Sequence, residues 1–145
     1  MSYDRIDWHY HGEGFPPNAG PEQGGTHIGM FLAWIIDNDL IGQLYKELSM
    51  DSIHKVRSRE ITGRDFLIEE CDGKFYDEIV NEDGNEFIKY YYDVEDSIYF
   101  GDYVDVFDYY EGIYDVENSW ENYDKIKPVI DMRYQEWKNN RRKSY

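Results

Sequence analysis

The sequence predicts a mainly α, compact single-domain fold built around one buried helix, with a small N-terminal strand pair. Three observations carry that reading. "IGMFLAWII" (Ile28 to Ile36) is apolar on nearly all sides of a helix, which marks an element enclosed by others. "YFGDYVDVFDYYEGIYD" (Tyr99 to Asp115) separates into distinct faces at the helical period and fails at the strand period. The chain has 145 residues, 18% of them aromatic, enough for one self-sufficient core. Such ring content argues against disorder despite a net charge of −16.

Taken in order, Tyr3 to Tyr10 reads as extended and pairs with Lys74 to Tyr76. Gly12 to Gly25, dense in glycine and proline, reads as an irregular loop. Thr26 caps the central helix, which runs to about Asn38. Short helices follow over Ile41 to Leu48 and over Ser52 to Glu60, the latter with Asp51 as N-cap. Thr62 and Asp65 form a capping box opening a helix that stops at "DGK" after Cys71. Glu82 to Tyr92 is helical despite Gly84. From Ser119 the chain is helical again, capped by Asn118 or Ser119. Pro128 should kink that helix or start a second one, because proline disrupts a helix interior. "KNNRRK" (Lys138 to Lys143) closes it with positive charge suited to a helix C-terminus. No repeat or linker divides residues 1–145.

On a helix, Tyr99, Phe100, Tyr103, Val106, Phe107 and Tyr110 fall within about 120° of arc, so most of these rings are core. Asp102, Asp105 and Asp108 take the opposite side, with Tyr109 among them. No lysine or arginine occurs from Tyr90 to Asp124, so these carboxylates have no local cation. Neighbouring like charges three apart on a helix repel by a few tenths of a kcal/mol. The row, extended by Glu111 and Asp115, is either a solvated face or a docking face for a basic partner anchored on Tyr109.

The charge balance excludes direct binding to nucleic acid or anionic lipid and favours basic partners or cations. "MSYDRIDWHYHGEG" lacks the basic start and apolar run of a secretory signal. The longest apolar run is too short to span a bilayer, so no membrane role is expected. A lone Cys71 excludes an intramolecular disulfide framework. These features point to the cytoplasm.

Motifs for chemistry are sparse. The best metal candidates are Asp7, His9, His11 and Glu13 in "DWHYHGE" with His27, since imidazoles and carboxylates suit zinc and His-x-His on a strand points both rings one way. That spacing is weakly specific, and the chain has neither HExxH nor paired CxxC motifs. EF-hand calcium is excluded: Ile68, Ile79 and Phe107 stand where the loop around Gly73, Gly84 or Gly112 needs an acid. Cys71 lies beside Glu69, Glu70 and Asp72, which raise a thiol pKa. No catalytic residue and no cofactor is assigned.

"YDRIDWH" (Tyr3 to His9), "GTHIGMFLAW" (Gly25 to Trp34), "ECDGKF" (Glu70 to Phe75) and "SWENYDKIKPVIDMRYQEW" (Ser119 to Trp137) together resemble a family of small, uncharacterised bacterial proteins. Such proteins look like immunity partners of polymorphic or contact-delivered toxins. The resemblance implies a cytoplasmic protein that binds and blocks a cognate toxin domain, and it brings no catalytic residue. An acidic surface fits such a role, because it can occlude the basic substrate groove of a nuclease toxin. The expectation is therefore a non-enzymatic acidic binding protein. Two alternatives stand beside it: a metal-dependent enzyme using the N-terminal Asp/His cluster, and a nucleic-acid-mimicking regulatory adaptor.

Overall fold

A computed structural model describes residues 1–143; Ser144 and Tyr145 lie outside the described residues. The chain enters as strand β1 (Ser2–Arg5), which turns directly into helix α1 (Ile6–Tyr10). The extended reading of Tyr3 to Tyr10 thus holds only for Tyr3 to Arg5. β1 pairs antiparallel with β2 (Lys74–Tyr76), forming the small N-terminal sheet. The pairing slips between Ser2, opposite Tyr76, and Asp4, opposite Phe75. Two β1 residues therefore face one on β2, as in a bulge, and Tyr3 and Asp4 are both buried although strand alternation would separate them.

Within the Gly/Pro-rich loop, Pro21–Gly25 winds into a 3-10 turn that feeds α2 (Thr26–Asp37). Every residue of α2 from Thr26 to Ile36 is buried, as its all-round apolarity requires. Thr26 is the first helical residue and not the cap, which is Gly25. α3 (Gln43–Leu48) and α4 (Met50–Arg57) follow, α4 starting from Ser49 instead of Asp51. The capping box of α5 (Gly63–Cys71) forms as read: Thr62 Oγ1 accepts from Asp65 N at 3.1 Å, and Asp65 accepts from Thr62 N at 3.0 Å.

α2 and α5 cross where both are glycine. A Cβ on Gly63 would stand 1.9 Å from the Gly29 carbonyl oxygen, and one on Gly29 would stand 2.4 Å from the Arg64 nitrogen. Close helix approach is the reason for both glycines.

α6 (Glu82–Tyr91) and α7 (Ile98–Val106) bring the buried rings of Phe87, Tyr91, Tyr99 and Tyr103 into the core around α2. α7 is shorter than the sequence suggests, and Phe107 to Gly112 are turns. Tyr99, Tyr103 and Phe107 are buried as expected. A 3-10 turn at Ile113–Asp115 leads to α8 (Trp120–Lys143), which packs on α7 and α2. α8 passes through Pro128 as one element instead of restarting there. Pro128 and Asp124, whose carbonyl loses its partner, are both exposed, so water can replace the missing bond.

Candidate functional site

The bulge in β1 has a chemical consequence. It turns Asp4 inward, to only 4% exposure, at the junction of β1, α1, α2 and α6. Asp4 Oδ1 accepts from His9 Nε2 at 2.7 Å and from the Arg5 amide at 2.9 Å. Oδ2 accepts from the Tyr92 hydroxyl at 2.6 Å and from His27 Nε2 at 3.2 Å. His9 reaches the carboxylate because α1 begins right after the strand, and His27 reaches it from the first turn of α2. The other His9 nitrogen, Nδ1, meets the Tyr114 hydroxyl at 2.5 Å. The two imidazoles lie edge to face with centroids 4.5 Å apart.

Burial works against charge on Asp4, but hydrogen bonds from His27 and His9 outweigh it and hold the carboxyl well below the usual carboxylate range. Burial pushes the fully enclosed His27 down, against the pull of Asp4, which favours the neutral ring. Burial, then the Asp4 charge, raises Tyr114. With Nε2–H donated to Asp4, His27 Nδ1 has no hydrogen-bond partner among the described residues, and neither has the Tyr103 hydroxyl, whose ring lies 5.9 Å from that of His27. A buried polar atom left unmet costs about 1–3 kcal/mol. A cleft of about 360 Å³, lined by Trp8, Tyr92, Val94, Ser97 and Phe100, opens onto Asp4 and His9.

Only two of the sequence-derived metal candidates meet here. His9 and His27 converge with Asp4, their ligand atoms all within 4.8 Å of one another. Asp7, His11 and Glu13 do not join them. His-x-His aligns two rings on a strand, but α1 is a helix, where residues two apart diverge. Asp7 instead forms a fork with Arg5 at 2.8 and 2.6 Å. His11 is exposed, and both line a separate groove of about 620 Å³ with Arg5 and Tyr10. Sequence reading missed Asp4, Tyr92 and Tyr114. The one available signal was an acid inside a segment read as extended.

The acidic row also divides. Asp102 is not a docking residue: at 8% exposure it faces α8, where Arg133 Nε and Nη2 each donate to its carboxylate at 3.0 Å and the Tyr91 hydroxyl donates at 2.8 Å. The stretch lacks a local cation, but a helix packed across it supplies one. Asp105, Asp108, Glu111 and Asp115 are exposed and have no ion-pair partner among the described residues. Tyr109 stands among them at 60% exposure, with Lys125 Nζ donating to its hydroxyl at 2.9 Å and lying 5.2 Å from its ring centre.

Cys71 is buried, and burial with the Glu70 charge pushes its thiol up to about 12, so it is not an activated nucleophile. Among the described residues no helix is long and apolar enough to cross a membrane.

A family model described as "Domain of unknown function (DUF7832)" matches residues 2–116. The chain belongs to the DUF7832 family. The matched span holds the whole Asp4 centre and the exposed acids of the α7–α8 connection, while α8, which supplies Arg133, lies beyond it. No curated protein and no solved structure matches the chain.

Proposed function

We propose that this DUF7832 protein is a non-enzymatic acidic binding protein, an immunity protein that captures and neutralises a basic toxin domain in the cytoplasm. One observation carries the reading. Asp105, Asp108, Glu111 and Asp115 are exposed and unpaired around the half-exposed ring of Tyr109, while Asp102 beside them is fully paired inside the fold. Asp102, which serves the fold, has its cation in Arg133. The exposed four have no ion-pair partner among the described residues: Asp105 lies near the end of α7, and Asp108, Glu111 and Asp115 lie in the turns that follow it.

Such a surface acts in two stages. The long-range field of a −16 chain steers a basic partner and raises the association rate. Tyr109 then supplies a rigid ring whose contact area, with desolvation around it, slows dissociation. Against a nuclease toxin the carboxylates would stand where substrate phosphates bind.

The test uses the basic domain encoded beside this chain in its genome. Co-expression should rescue cells from that domain, and the purified pair should associate with a rate that falls steeply as salt rises. The Asp105→Lys, Asp108→Lys, Glu111→Lys variant should associate about tenfold or more slowly at low salt while folding normally. Absence of any basic neighbour that binds, or an unchanged association rate in the variant, refutes the reading.

A further inference from the structure

We infer that Asp4, His9 and His27 form a binding site for one first-row divalent transition ion, with zinc as the ion that fits the donor set best. This centre is separate from the acidic turns, and the inference stands whether or not those turns bind a toxin.

The donors are two imidazole nitrogens and a carboxylate, the mix that selects transition ions over calcium or magnesium, which take oxygen ligands. Their spacing is close to what an ion needs. Two ligand atoms, each about 2.0–2.1 Å from a tetrahedral zinc, stand roughly 3.3 Å apart. His27 Nε2 already stands 3.2 Å from Asp4 Oδ2. His9 Nε2, at 2.7 Å from Oδ1, must retreat by about half an ångström, and His9 is the more exposed of the two rings, on a short surface helix. The ion would take the place of the two Nε2 protons that both rings now direct at one carboxylate.

The surroundings are those of a ligand set. Metal-bound histidine characteristically donates its far N–H, and His9 Nδ1 has the Tyr114 hydroxyl at 2.5 Å to receive it. Tyr92 donates to Asp4 Oδ2 and fixes the carboxylate plane. Three protein donors leave a coordination position, and the cleft beside Asp4 and His9 gives an entry path. His27 Nδ1 has no acceptor among the described residues, so this far-side bond belongs to His9 alone.

The experiment uses untagged full-length protein, stripped with chelator and titrated with Zn²⁺ or Co²⁺. One equivalent should bind, undisturbed by excess Ca²⁺ or Mg²⁺, and Co²⁺ should give the visible bands of a four- or five-coordinate site. His9→Ala should weaken binding about 100-fold or more, and Tyr114→Phe about tenfold, while His11→Ala leaves it unchanged. Wild-type protein supplies a readout that no folding defect can blur. In histidine ¹⁵N spectra, Zn²⁺ should shift Nε2 of His9 and His27 and leave His11 and His54 in place. No stoichiometric uptake, shifts confined to His11 or His54, or displacement by Ca²⁺ would overturn the inference.

Discussion

Replacing Asp102 with alanine should destabilise the fold, whereas the same change at Asp105 or Asp108 should not. The structure sets the size. Tyr91 is fully buried, and its hydroxyl loses its acceptor at 2.8 Å. An unmet buried donor costs about 1–3 kcal/mol. The Arg133 fork, two bonds of 3.0 Å, is lost as well, but its side chain is 30% exposed and rehydrates, so that loss adds only about 1 kcal/mol. The sum is about 2–4 kcal/mol, or roughly 5–15 °C in Tm for a chain of this size. Urea denaturation followed by circular dichroism would measure it, with Asp105→Ala and Asp108→Ala expected within about 0.5 kcal/mol of wild type. A cycle with Tyr91→Phe should show coupling, since the phenol is then no longer stranded. If Asp102→Ala were as stable as Asp105→Ala, the division of the acidic row into fold and surface would be wrong.

Gly63→Ala should cost about 3 kcal/mol or more, because its Cβ would meet the Gly29 carbonyl at 1.9 Å and backbone must move. Gly101→Ala, inside α7 with nothing within 4 Å of the new carbon, should instead stabilise by about 0.5–1 kcal/mol; the opposite ordering in denaturant melts would refute the packing account. Alkaline pH should unfold the protein through its tyrosines. Burial and then Asp77 push Tyr3 up to about 12, and burial above all raises Tyr92 and Tyr99 far above their ordinary value of 10.0. A folded-state pKa above the unfolded one gives stability that is complete below about pH 10 and lost as pH rises further, because the unfolded chain ionises first. Tyrosinate absorbance should therefore lag behind that of free tyrosine and then rise together with the loss of circular dichroism. A titration showing all rings ionising near pH 10 in folded protein would contradict it.

Much of the fold was legible because its signals are local. The apolar run of α2 gives a buried helix without reference to anything else, and Thr62 with Asp65 caps α5 through bonds three residues apart. What escaped depends on partners distant in sequence. Asp102 looked unpaired because its cation, Arg133, stands 31 residues later on α8. The Asp4 centre draws on Tyr92, 88 residues away, and on a one-residue slip in β1 that no pattern of alternation announces. His9 and His11 were grouped as strand neighbours; the turn into α1 after Arg5 separated them and left His9 alone facing Asp4. The exposure of Asp105, Asp108, Glu111 and Asp115 was legible because exposure requires no partner.

The central claim, that the exposed acids from Asp105 to Asp115 capture a basic protein, is tested most directly by stopped-flow association with the basic domain encoded next to the chain. Wild type and the Asp105→Lys, Asp108→Lys, Glu111→Lys variant would be compared at low and high salt. The account predicts a rate about tenfold or more lower for the variant at low salt, converging with wild type as salt screens the field. Equal rates at low salt, with both proteins folded, would contradict it.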